Sequence, residues 1–242
     1  SISAPALRTL DDFDMQALCN TVWAFAALGL KDMHLLDSIS APSLSRVAEY
    51  EAQHLSITAW AFAAFAFGDK PLLEAISAAS ITRLADFDSR NIANPVWSVA
   101  VLSFMDQPLL DAIAAAAIRP DSETCPQNLT NTVWAFAKLC IEDKPLMSAI
   151  SAAALPMITE YQAMELSNTA WAFAALTMNL GNLLTNALAS SAIARIRDFE
   201  QQDLANTAWA MSTRPLRNEP LRAAISAESR RTIAQFACQN LS

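Results

Sequence analysis

Glycine occurs only three times in 242 residues. That leaves no glycine-rich phosphate loop and little material for the tight turns of a β-rich fold. The two histidines, His34 and His54, lie far apart, and the four cysteines, Cys19, Cys125, Cys140 and Cys238, have no short paired spacing. The reading is buried, reduced thiols, no metal and no cofactor. The longest unbroken apolar stretches, such as Ala59 to Gly68, reach about half of the roughly 20 residues that a membrane span needs. Ser1 to Pro5 carries neither a basic nor an apolar leader region, so no targeting segment is expected there. Positive charge is scarce as well: 16 Lys and Arg stand against 24 Asp and Glu, a net of −8. Such a surface repels polyanions on average, which excludes a generic nucleic-acid sponge. With 53% apolar and 17% charged residues, disorder is excluded too.

The six tryptophans, Trp23, Trp60, Trp97, Trp134, Trp171 and Trp209, are separated by 37, 37, 37, 37 and 38 residues. This is a tandem repeat. One phrase returns around each: Asn20-Thr-Val-Trp-Ala-Phe, Ile57-Thr-Ala-Trp-Ala-Phe, Asn94-Pro-Val-Trp-Ser-Val, Asn131-Thr-Val-Trp-Ala-Phe, Asn168-Thr-Ala-Trp-Ala-Phe and Asn206-Thr-Ala-Trp-Ala-Met. We call this segment helix A. A second phrase follows each Trp, as in the run from Pro71 to Phe87, and we call it helix B.

Helix A reads as α because Leu18, Val22, Phe25 and Gly29 recur at spacings of three and four among alanines. Asp14 and Asp88 stand where N-caps belong, and Pro126 occupies a first-turn position, where its missing N–H costs nothing. Gly29, Gly68 and Gly181 all fall in the A-to-B turn, where a positive φ is wanted. Helix A is apolar nearly all round, so stacked neighbours must cover several of its sides. Helix B is amphipathic, with Leu73, Ile76, Ser80, Leu84 and Phe87 on one stripe. Pro5, Pro42, Pro120 and Pro156 fall near its middle and predict a bend or restart there. The expected fold is all-α: an α-solenoid of stacked antiparallel helix pairs, with a right-handed superhelix.

The array is expected to be one continuous domain over residues 1–242, with repeats 15–51, 52–88, 89–125, 126–162, 163–200 and 201–237. One inserted residue is placed near Asn179 to Asn182. Residues 1–14 read as a helix B without its own A, and 238–242 as the start of a further repeat, so the chain reads as a window on a longer array.

The phrase Leu-x-Asn-Thr-x-Trp-Ala-Phe-Ala-x-Leu, followed by a Pro-Leu-Leu-rich second helix, resembles the octotricopeptide repeat, and the likeness runs through the whole chain. That resemblance implies an α-solenoid related to arrays found beside RAP domains. It also implies an organelle, chloroplast or mitochondrion, and RNA whose processing, stability or translation the protein controls.

Four features bear on binding. Each Trp sits in an apolar context, which predicts core packing over base stacking. Asparagine stands three residues before the Trp at Asn20, Asn94, Asn131, Asn168 and Asn206, with Ile57 in the remaining copy. A mid-helix Asn is a poor helix former, so its return signals a satisfied hydrogen bond. It fits contact with bases, contact with the main chain of an extended peptide, or a tie to the backbone of the neighbouring repeat. The tie is the expected use, and the row is the first candidate for a ligand contact. Arg46, Arg83 and Arg195 share one helix B position, each with an acid three residues later, which predicts a solvated ion-pair row; on a ligand-facing surface they would follow phosphates. Finally, residues 201–242 carry Arg214, Arg217, Arg222, Arg230 and Arg231 against three acids. Any phosphate contact is expected at that end, and the acidic remainder suits a basic protein.

A base-reading code needs contact residues that vary between repeats. Four residues after the Trp stand Ala27, Ala64, Val101, Lys138, Ala175 and Thr213, too apolar to discriminate bases. No nucleophile elbow, metalloprotease motif or distinct carboxylate pair is present, so no enzyme is expected. The expected function is non-catalytic binding of single-stranded RNA in organellar RNA metabolism. The alternative is a protein-interaction scaffold or a structural subunit of a large organellar assembly.

Overall fold

The computed structural model describes residues 13–117, 124–178, 181–212 and 218–239. Among them are twelve α-helices and no strand, so the fold is all-α. They are α1 (Met15–Ala27), α2 (Met33–Ser45), α3 (Ala52–Ala64), α4 (Lys70–Thr82), α5 (Ser89–Val101), α6 (Gln107–Ala117), α7 (Pro126–Lys138), α8 (Lys144–Met157), α9 (Ala163–Ala175), α10 (Gly181–Ala194), α11 (Gln201–Ser212) and α12 (Glu219–Gln239). Odd-numbered helices are the A helices and even-numbered ones the B helices. No described helix is long and apolar enough to cross a membrane. The chain forms two compact units, residues 1–123 and 124–242.

In the first unit the A helices α1, α3 and α5 pack side by side, as do the B helices α2, α4 and α6, and each A packs on its own B. The second unit repeats the plan with α7, α9 and α11 over α8, α10 and α12. Between the layers lie Leu18, Leu55, Val133, Leu166 and the phenylalanines two residues after the Trp, Phe62, Phe136 and Phe173, all buried.

Each unit is fastened by polar contacts set at repeat spacing. Asp14 and Asp88 accept from Ala17 N and Asn91 N at 2.7 Å as the expected N-caps, and Pro126 opens α7. His54 closes a capping box: the Glu51 N–H donates to its Nδ1 at 3.2 Å. The B helices start on Asp32, Asp69, Asp106 and Asp143, whose side chains accept from the backbone N–H three residues on. Ser40 of the preceding B helix also donates to Asp69, and Ser77 donates to Asp106 at 2.6 Å. Buried hydroxyls and thiols bridge neighbouring A helices, with Cys19 Sγ 3.2 Å from Thr58 Oγ1 and Thr130 Oγ1 3.1 Å from Thr169 Oγ1. The corresponding Ser56 finds no partner because Pro95 stands where the threonine belongs. Burial pushes the Cys19 thiol above its ordinary value, whereas Cys125 and Cys140, expected to be buried, are exposed at the ends of α7.

Two expectations are corrected. Only Gly29 uses a positive φ, +65°, in its turn; the equivalent residues are Ala66, Ser103, Cys140 and Thr177, at φ between 51° and 57°. Gly68 does not take the left-handed conformation, and Gly181 opens α10 rather than the turn. The helices α1, α3, α5, α7 and α9 each end here in a Schellman motif, as in Leu30 N to Phe25 O at 2.9 Å with Gly29 N to Ala26 O at 3.1 Å, and only one residue need be left-handed. Second, α2 runs through Pro42 and α8 through Pro156 without restarting. The B helices instead close on a 3-10 turn at Val47–Glu49, Leu84–Asp86 and Ile196–Asp198, in copies with and without the proline. Pro5, Pro120 and the inserted position at Asn179 and Leu180 lie outside the described residues.

Candidate binding face

At about 100° per residue, the positions seven and three before the Trp and four after it fall within about 60° of the indole, while the Phe two residues on lies about 200° away. The A helix therefore divides its aromatics. Phe62 and Phe136 are 0% and 1% exposed, whereas Trp23 and Trp209 are 48% and 46% exposed. Trp60, Trp97, Trp134 and Trp171 are intermediate. The core role expected of the tryptophans belongs to Phe62, Phe136 and Phe173, with Phe25 half-buried, and the indoles line a surface.

Within each unit that surface is a stripe of amides and indoles. The position seven before the Trp is exposed in every copy: Gln16, Gln53, Arg90, Gln127, Met164 and Gln202. Asn20 is exposed, and Asn94, Asn131, Asn168 and Asn206 are half-buried beside their tryptophans, with Ile57 in the second copy. Ala27, Ala64 and Lys138 continue the stripe in the open. In the second unit the row closes on itself: Gln202 Nε2 donates to Asn206 Oδ1 at 2.8 Å, and Asn206 Nδ2 to Asn168 Oδ1 at 3.2 Å. The rings of Trp171 and Trp209 lie 6.1 Å apart with a 38° tilt. The tie expected to the neighbour's backbone is at Asn206 a side-chain contact instead, amide to amide with Asn168.

The arginine row has another use. Arg46 Nη1 donates to Phe13 O at 2.7 Å, Arg83 Nη2 to Ala48 O at 2.8 Å and Arg195 Nη2 to Thr159 O at 2.9 Å. Each guanidinium is fastened to a carbonyl of the preceding repeat. The ion pair expected three residues on forms at Arg46 with Glu49, 3.5 Å, while Arg83 and Arg195 go to the carbonyls. Sequence reasoning missed these staples because the acceptors are main-chain atoms some 35 residues away. Arg222 is exposed and pairs with Glu219; Arg231 pairs with Glu228, and Arg230 donates to Ser226 O. Arg214 and Arg217 lie outside the described residues. No cluster of metal-ligating side chains occurs among the described residues.

The face can therefore stack flat groups on indoles and pair amides with bases or peptide groups, but it holds little positive charge with which to grip a phosphate chain. Residues 1–181 match the model of a family described as RNA-editing substrate-binding complex 6 protein. The chain belongs to this family. That places it in RNA metabolism as a helical-repeat protein. No curated protein matches the chain.

Proposed function

We propose that the chain is a non-catalytic subunit of an RNA-editing substrate-binding complex, working in an organelle, the mitochondrion, and that it holds single-stranded RNA along the exposed stripe of its A helices. The observation that carries this reading is the shared face of amides and indoles, since aromatic stacking contributes roughly 1–3 kcal/mol per base in single-strand binders. The family description supports it, as does the resemblance of the repeats to octotricopeptide arrays. Near-uniform contact residues make the recognition weakly selective for sequence.

A second reading has two observations of its own. The arginines Arg46, Arg83 and Arg195 are fastened to internal carbonyls, and the net charge is −8, which suits a basic protein partner better than a polyanion. Fluorescence anisotropy with labelled single-stranded RNA, titrated with salt, separates the two. Binding at low salt that weakens as salt rises supports the RNA reading. No binding at low salt, with basic proteins co-purifying, overturns it.

A further inference from the structure

We propose that the RNA seats on the second unit alone, across α7, α9 and α11, and that the first unit's equivalent face takes no nucleic acid. This rests on the RNA reading above and sharpens it to one half of the chain. The amide row decides first. Asn131, Asn168 and Asn206 are continuous, and two of them are joined at 3.2 Å, whereas Ile57 interrupts the first unit's row and removes both donor and acceptor between Asn20 and Asn94.

Charge decides second. Residues 1–123 hold seven Lys and Arg against fifteen Asp and Glu, which accounts for the whole net of −8; residues 124–242 hold nine against nine. A phosphate chain therefore meets a repelling field on the first unit and a neutral one on the second. Beside Gln53 on the first unit's stripe, a hollow is lined by Glu51, Arg83, Asp86 and Asn91, and its one cation, Arg83, is already bonded to Ala48 O. Arg90 is the first unit's cation on the stripe itself; the second unit's is Lys138, exposed one turn beyond Trp134. In the second unit Trp171 and Trp209 lean on each other, so the indole open to a base is Trp209.

Trp23 and Trp209 make a matched pair for the test, 48% and 46% exposed on the first and last described A helices in chain order. The intact chain is titrated into fluorescein-labelled oligouridine at low salt, with Trp23→Ala and Trp209→Ala compared and far-UV circular dichroism confirming that each variant stays helical. The inference predicts an affinity loss of about tenfold for Trp209→Ala, the size of one lost stacking contact, substantial recovery in Trp209→Phe, and wild-type affinity for Trp23→Ala. Equal losses for both alanine variants overturn the inference and leave the RNA reading standing. Binding that neither variant weakens overturns the inference and removes the stripe from the RNA reading. A wild-type chain that ignores oligouridine and binds oligolysine overturns both. Should Trp209→Ala lose helicity, Asn206→Ala gives the same comparison against Asn20→Ala.

Discussion

Among the described residues, four other than glycine hold a backbone conformation that favours glycine: Ala66, Ser103, Cys140 and Thr177, each six positions after a Trp and each closing a Schellman motif. An L-residue in the left-handed region costs about 1 kcal/mol. Thr177, β-branched and exposed, has the most to gain. Thr177→Gly is therefore expected to stabilise by about 0.5–1 kcal/mol, read from the urea midpoint, and Gly29→Ala to destabilise by a similar amount. The glycines were legible as turn markers, but the left-handed position was not, because only the repeat register aligns Gly29 with an alanine, a serine, a cysteine and a threonine. Tyr50 and Tyr161 raise a second residue-scale point. Both are fully buried, and burial pushes their phenols above their ordinary value of 10.0. For an acid whose folded pKa is raised, the unfolded chain releases its proton first, so stability is intact below pH 10 and falls as pH rises beyond it. Phe13, Phe87 and Phe199 occupy the equivalent position. Replacing both tyrosines by phenylalanine should leave neutral-pH stability within about 1 kcal/mol and flatten the alkaline loss; an unchanged alkaline slope contradicts the assignment.

Helices A and B were readable as elements from periodicity and spacing, and their ends from Asp14, Asp88 and Pro126. What the pattern did not disclose is that the B-helix caps are shared between repeats. One oxygen of Asp106 caps α6 through Leu109 N at 3.0 Å while the other accepts from Ser77 of α4. A cap and a buried-side hydrogen bond each contribute about 1 kcal/mol, so Asp106→Ala should cost about 2 kcal/mol. In a double-mutant cycle measured by chemical denaturation, Ser77→Ala and Asp106→Ala should couple by at least about 0.5 kcal/mol; additive losses would reduce Asp106 to a local cap. The prolines misled because Pro42 and Pro156 lie in the last turns of α2 and α8, where few residues remain to be displaced by the missing N–H bond. The arginine that follows, not the proline, marks the closure: Arg46, Arg83 and Arg195 each flank a 3-10 turn and hold the preceding repeat.

Across the molecule, the period of the tryptophans was enough to read an all-α repeat fold, because a segment of 37 residues with an apolar A helix cannot bury that helix alone. The binding face was only half legible. The asparagines stood out as poor helix formers returning at one position, but the apolar words around each Trp concealed that indole and phenylalanine point to opposite sides of the helix. The charge division between the two units was visible only at the C-terminal end until the unit boundary was known. The central claim is that the amide and indole stripe is the surface that holds RNA. Ultraviolet crosslinking of the intact chain to single-stranded RNA, with the joined peptides identified by mass spectrometry, tests it most directly. The account predicts crosslinks within α7, α9 and α11 at or beside Trp134, Trp171 and Trp209. Crosslinks confined to the B helices would contradict it.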